Sequence, residues 1–141
     1  MADAAPGRTS GPPRPRPLSP HLEIWRWHVT MLASILHRVS GVGLYIGALI
    51  LMAWALSLAG GPGSYGAFQN VAGSIIGKLV LAAITLCAFY HLANGVRHLA
   101  WDAGFGFRPK TADATAWAAF GFAIAATIVF WAAILMTGGA Q

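Results

Sequence analysis

The sequence predicts an all-α membrane protein with three transmembrane helices. Of its 141 residues, 57% are apolar and only 9% are charged, whereas an ordinary soluble domain carries about 25% charged residues. The apolar residues also fall in long uncharged runs rather than at amphipathic spacing, which makes lipid, not an aqueous core, their natural solvent. Finally, the net charge of +5 gathers before the first run, near run ends and in one loop. That distribution sets membrane topology, and no basic helix or aromatic-interleaved stripe points to nucleic acid.

The first span is expected over about residues 32–58, whose stretch 39–58 contains no charge; about 20 helical residues cross roughly 30 Å of hydrocarbon. Gly60, Gly61, Pro62, Gly63 and Ser64 read as a loop. The second span is expected within residues 75–101, with Lys78 near its start and able to snorkel. A polar loop holding Asp102, Arg108, Pro109 and Lys110 leads to an uncharged third span at 114–136.

Residues 1–19 are rich in Pro, Arg and Gly and are expected to form a mobile tail, leaving residues 20–141 as the membrane domain. No apolar segment follows the tail at signal-peptide distance, and its prolines oppose an amphipathic transit helix. Cys87, the only cysteine, excludes an intrachain disulfide and reads as a small buried apolar residue. Basic residues concentrate in the N-terminal tail and the second loop, so the N-terminus is expected on the cytoplasmic (or matrix) side. Trp25, Trp27, Trp101 and Trp117 would then be anchors near that interface.

Polar residues within spans are expensive, at roughly 2.5–3.5 kcal/mol for a charge at the bilayer centre, and two clusters stand out. In SILHRVSG, Ser34, His37 or Arg38, and Gly41 share one helix face. A hydroxyl beside a guanidinium suits a quinone carbonyl or a haem propionate; the bland alternative is a capping serine and a snorkelling arginine. In HLANGVRHLAWD, His91 and His98 lie on one face about 10 Å apart along the axis, with Gly95 between them, where a flat macrocycle can approach the backbone. His91 is the deeper of the two, and neutral imidazole is a good haem ligand. Arg97 and His98 lie nearer the surface, where propionates would point. One helix cannot ligate both faces of a haem, so a second ligand must come from elsewhere. Two alternatives stay open: His37 with His98 as a ligand pair within the chain, or the histidines and Asn94 as interhelical hydrogen-bonding glue.

The runs RPLSPHLEIW, SILHRVSG and YHLANGVRHLAWDAG together resemble the cytochrome b large anchor subunits of succinate dehydrogenase, respiratory complex II, over nearly the whole chain. The long Pro/Arg tail is a departure from that family. The resemblance implies half of a heterodimeric membrane-anchor bundle that binds haem b and ubiquinone. It implies His91 as the axial ligand to the haem iron, with the other ligand from a small anchor subunit. Ser34 and Arg38 would line the quinone site, while His37 and Arg38, with His98, would meet the haem propionates. The segment PLSPHL, residues 17–22, would dock near the soluble subunits.

The implied partners are that small anchor subunit, an iron–sulfur subunit and a flavoprotein subunit. The chain itself is expected not to oxidise succinate, having no dinucleotide fingerprint and no cysteine set for a cluster. The expected location is the bacterial cytoplasmic membrane, with the mitochondrial inner membrane as the alternative. A fumarate reductase anchor and a haem-free structural anchor are the competing functions; a free-standing di-haem carrier would want two histidine pairs within the chain.

Overall fold

A computed structural model describes residues 17–138. Most of the expected N-terminal tail, residues 1–16, therefore lies outside the described residues, and residues 17–20 are exposed. The described chain forms five helices: α1 (His21–Ile24), α2 (Val29–Ala59), α3 (Pro62–Gly73), α4 (Ile75–Asp102) and α5 (Pro109–Met136). It contains no strand among the described residues.

Helices α2, α4 and α5 are the three spans. They contain 31, 28 and 28 residues, and at about 1.5 Å per residue each exceeds a hydrocarbon core of roughly 30 Å. The first two match their expected positions to within three residues. The third begins five residues earlier than expected, at Pro109. Proline suits the first helical position because the N–H it lacks would have no partner there. Lys110 and Asp113 interrupted the apolar run without interrupting the helix.

A second difference lies between the first two spans, where residues 60–64 read as a loop. Gly61 does turn the chain, with φ of 87°, but Pro62 then opens the twelve-residue α3. Gly63, Gly66 and Gly73 lower its intrinsic helix propensity, and packing offsets that, since α3 contacts both α2 and α4. Ser74 breaks the helix in extended conformation and caps α4, its Oγ accepting from the Gly77 N–H at 3.1 Å. Gly77 is needed at this corner, because an added Cβ would collide with the Val71 and Ala72 carbonyls.

Helix α4 is central, with extensive contact to α2 on one side and α5 on the other. The α2–α4 seam is close because of glycine. A Cβ at Gly43 would fall 2.7 Å from Cys87 Sγ, and one at Gly47 would fall 2.8 Å from Ile84 Cγ2. The α4–α5 seam instead uses the buried alanines Ala116, Ala119 and Ala123, with Tyr90 stacked on Phe120 at 5.2 Å and Phe89 edge-on to Phe122. Such small-residue seams are how helices associate in lipid, where apolar surface alone gives no drive. Outward faces remain apolar and exposed, including Tyr45, Leu51, Leu92, Val96, Leu99 and Val129. Helices apolar all round, in so thin a bundle, belong in a bilayer: the chain is a multi-pass membrane protein.

Candidate functional site

The two sequence clusters meet near one end of the α2–α4 seam. The His37 and His91 rings stack at 4.0 Å with an interplanar angle of 18°. His98, two turns along α4, lies 5.1 Å from His37 and edge-on to Trp101 at 5.0 Å. His37 thus sits against both α4 histidines.

The hydrogen bonding of His91 decides what its ring can do. Its Nδ1 lies 3.1 Å from Ser40 Oγ and 3.2 Å from the His37 carbonyl oxygen. Ser40 donates its own proton to that same carbonyl at 2.8 Å. Both neighbours of Nδ1 therefore act as acceptors, which places the proton on Nδ1 and leaves the lone pair on Nε2. Metal-ligating histidines are held in this way, one nitrogen donating to a carbonyl or similar acceptor while the other faces the metal. The stacked His37 ring covers a face of His91, whereas the Nε2 lone pair points along the ring plane, so stacking does not consume it.

The surroundings admit a flat group. A Cβ at Gly41 would come within 3.4 Å of His91 Cε1, while at Gly95 an added Cβ would meet open space. His37 Nδ1 is buried and has no hydrogen-bond partner. Among the described residues no three His, Cys, Asp or Glu side chains converge as a bare metal site. Iron held at His91 would need a macrocycle to supply most of its donors. The residues fit a b-type haem at His91. The alternative pair within the chain, His37 with His98, has its rings 5.1 Å apart in this arrangement.

Ser34 and Arg38 flank this cluster on α2. His37 and Arg38 are adjacent, so their side chains diverge by about 100° around the helix. His37 turns inward, Arg38 is exposed, and Ser34 is half-buried. The structure thus separates the inward His37 from the outward pair formed by Ser34 and Arg38, one turn apart.

A family model described as succinate dehydrogenase/fumarate reductase transmembrane subunit matches residues 12–130. The chain belongs to this family. Succinate dehydrogenase cytochrome b556 subunit of Rickettsia felis is 40% identical over 116 residues, covering 82% of this chain and 90% of the relative. The subunit of the same name from Paracoccus denitrificans is 34% identical over 97 residues, covering 69% and 75%. The human mitochondrial cytochrome b560 subunit is 36% identical over 98 residues, covering 66% and 56%. The chain is accordingly a cytochrome b anchor subunit of succinate dehydrogenase type, non-catalytic by itself.

Sequence reasoning missed part of how this anchor is built. Arg97, expected beside His98 where propionates would point, is buried and turned to α5. Its guanidinium donates to Asn94 Oδ1, to Thr115 Oγ1 at 3.1 Å and to the Ala112 carbonyl at 3.2 Å, and lies over the Trp101 ring at 4.7 Å. Tyr90 donates to the Ala33 carbonyl of α2 at 2.8 Å. Tyr90, Asn94 and Arg97 recur at i, i+4 and i+7, the signature of one helix face, and that spacing was available in the sequence. Ser40 was available too, three residues beyond His37 and hence on the same face.

Proposed function

We propose that this chain binds haem b and ubiquinone as the large anchor of a succinate dehydrogenase, and so takes part in passing electrons from an iron–sulfur subunit to the quinone. The observation that carries the reading is the His91 ring, whose Nδ1 is engaged by Ser40 and the His37 carbonyl, which leaves Nε2 available. His91 would hold the haem iron through Nε2, together with a residue of the small anchor subunit. A b-type haem held there would supply a one-electron acceptor. His37 and His98 from within the bundle, and Arg38 from its outer face, would compensate the charge of its propionates.

Ser34 and Arg38 hold the quinone, the hydroxyl as a neutral donor and the guanidinium as a charged one. Exposure of Arg38 supports this, because a donor already committed within the chain would have nothing to offer a ligand. Succinate is oxidised in a flavoprotein subunit, and electrons reach the membrane surface through the iron–sulfur subunit. The N-terminus faces the cytoplasm of a bacterium. A fumarate reductase anchor shares the family description, and the succinate dehydrogenase names of the relatives favour the forward direction.

The test is a reduced-minus-oxidised absorbance spectrum of the detergent-purified complex, wild type and His91→Ala. A b-type band in wild type that disappears in the variant supports the assignment. A band that survives moves the ligand elsewhere, and no band in either leaves a haem-free structural anchor.

A further inference from the structure

The opposite end of the bundle holds a cavity of about 450 Å³, within the size range of ligand sites. It lies between the C-terminal part of α2, α3, the start of α4 and the end of α5, and its wall includes Trp54, Tyr65, Gln69, Lys78, Phe130 and Trp131. We infer that this cavity binds the phosphate headgroup and upper acyl chain of an anionic phospholipid, with Lys78 as the charge that selects it. The inference rests only on the spans and is independent of the haem and quinone assignments.

The first ground is charge. The four acidic residues of the chain are Asp3, Glu23, Asp102 and Asp113, so none falls between residues 24 and 101. Among the described residues, therefore, Lys78 has no acidic side chain at its own end of the bundle. It also sits in the first turns of α4, where the positive end of the helix disfavours a cation and where no acidic residue compensates. A half-buried ammonium in such a place is stabilised by an anion brought from outside.

The second ground is a polar atom without a partner. Trp131 lines the same cavity, and its indole Nε1 is buried with no hydrogen-bond partner. An indole N–H donates only, so what it lacks is an acceptor. Nε1 is itself closed off from the open space of the cavity, so a small turn of the ring would bring it to an anionic acceptor drawn by Lys78.

Depth selects the lipid over a free ion. Helix α4 has 28 residues, about 42 Å, so roughly 6 Å or four residues project beyond each side of a 30 Å core. Lys78 is the fourth residue of α4 and lies at that boundary, where phosphates sit. Trp131 lies five residues before the end of α5, also near the boundary. Most of the remaining wall, with Trp54, Phe68, Leu81, Ile84 and Phe130, is apolar and suits an acyl chain, Gln69 and Thr85 being its polar exceptions.

The test counts lipid retained by the purified complex in native mass spectrometry after delipidation and exposure to vesicles of dioleoylphosphatidylglycerol or dioleoylphosphatidylcholine. Wild type retains phosphatidylglycerol in preference to phosphatidylcholine, and millimolar inorganic phosphate does not displace it. Lys78→Gln, which keeps length and polarity, lowers phosphatidylglycerol retention about tenfold, as expected for losing a charged hydrogen bond, and abolishes the preference. Trp131→Phe, which keeps the ring and removes the N–H, lowers retention less. Equal retention by wild type and Lys78→Gln overturns the inference. So does displacement by inorganic phosphate alone, which would make this a free-anion site. Loss of a partner subunit from Lys78→Gln with unchanged lipid also overturns it, since the counter-charge would then be protein, and co-purified quinone falling in place of lipid reassigns the cavity.

Discussion

The two ends of the helical bundle solve the same problem by different means. At the histidine end, polar side chains interlock: His91 with Ser40 and the His37 carbonyl, Tyr90 with the Ala33 carbonyl, and Arg97 with Asn94, Thr115 and the Ala112 carbonyl. Further along the seam the contacts are steric, Gly43 against Cys87 and Gly47 against Ile84, and beyond them Lys78 has no acidic side chain nearby among the described residues. In lipid an unpaired polar group is costly. A cluster of paired ones therefore marks where side chains must be held in fixed directions, whereas glycine contacts fix only the distance between helices. Polar residues position the site, and small residues position the helices that carry it.

The sharpest way to break this contrast is within the polar end, between its exposed and its buried arginine. Arg38→Ala removes a donor that faces outward, and on the proposed function it costs one charged hydrogen bond to quinone, about 1.5–3 kcal/mol or on the order of ten- to a hundredfold in quinone reduction. Succinate oxidation by artificial acceptors should be unchanged in the same preparation. Equal losses in both assays would remove Arg38 from the quinone site.

The steric seam is probed next. Gly47→Val presses on Ile84, whose β-branched side chain is stiff, and overpacking of this kind costs about 1–3 kcal/mol, seen as a lower thermal midpoint of the detergent-solubilised complex. Ile84→Ala in the same chain should recover part of the loss, and purely additive effects would show that the two residues do not press on each other.

Arg97→Met should lower stability by about 1–2 kcal/mol, since interhelical hydrogen bonds in membranes average about 0.6 kcal/mol each and two of its three reach α5. The haem band should keep its position and intensity. If Arg97→Met instead abolished the band without destabilising the complex, Arg97 would belong to the cofactor and not to the helix seam.

The smallest effect belongs to Tyr90→Phe, about 0.6 kcal/mol for its single bond to Ala33, measured by the same thermal midpoint. A loss of several kcal/mol would mean that Tyr90 organises more than that contact.

Much of this was legible in the sequence. Uncharged runs as long as a bilayer is thick can hardly be read otherwise, and α2 and α4 follow their expected limits closely. The start of α5 was hidden because hydropathy registers the charges of Lys110 and Asp113, while helix formation registers Pro109 at its first position. Helix α3 was hidden because Gly61, Gly63 and Gly66 mark turns statistically; Gly61 does turn the chain, whereas Gly63 and Gly66 are helical in contact with α2 and α4. For the site, His37 lies against both His91 and His98, a contact across two helices that the motifs alone do not state, and the direction of Arg97 does not follow from its place beside His98. Adjacent residues on a helix point about 100° apart, so sequence proximity to a ligand is poor evidence of contact with it. Periodicity was the better guide, and it would have grouped Arg97 with Tyr90 and Asn94.

The central claim, that His91 offers a correctly oriented axial nitrogen, is tested most directly by His91→Gly in the purified complex, with haem measured per flavin before and after addition of imidazole. The account predicts that the b-type band is lost in the variant and returns when imidazole enters the vacated place beside Ser40. A band at wild-type intensity in His91→Gly without imidazole would contradict it.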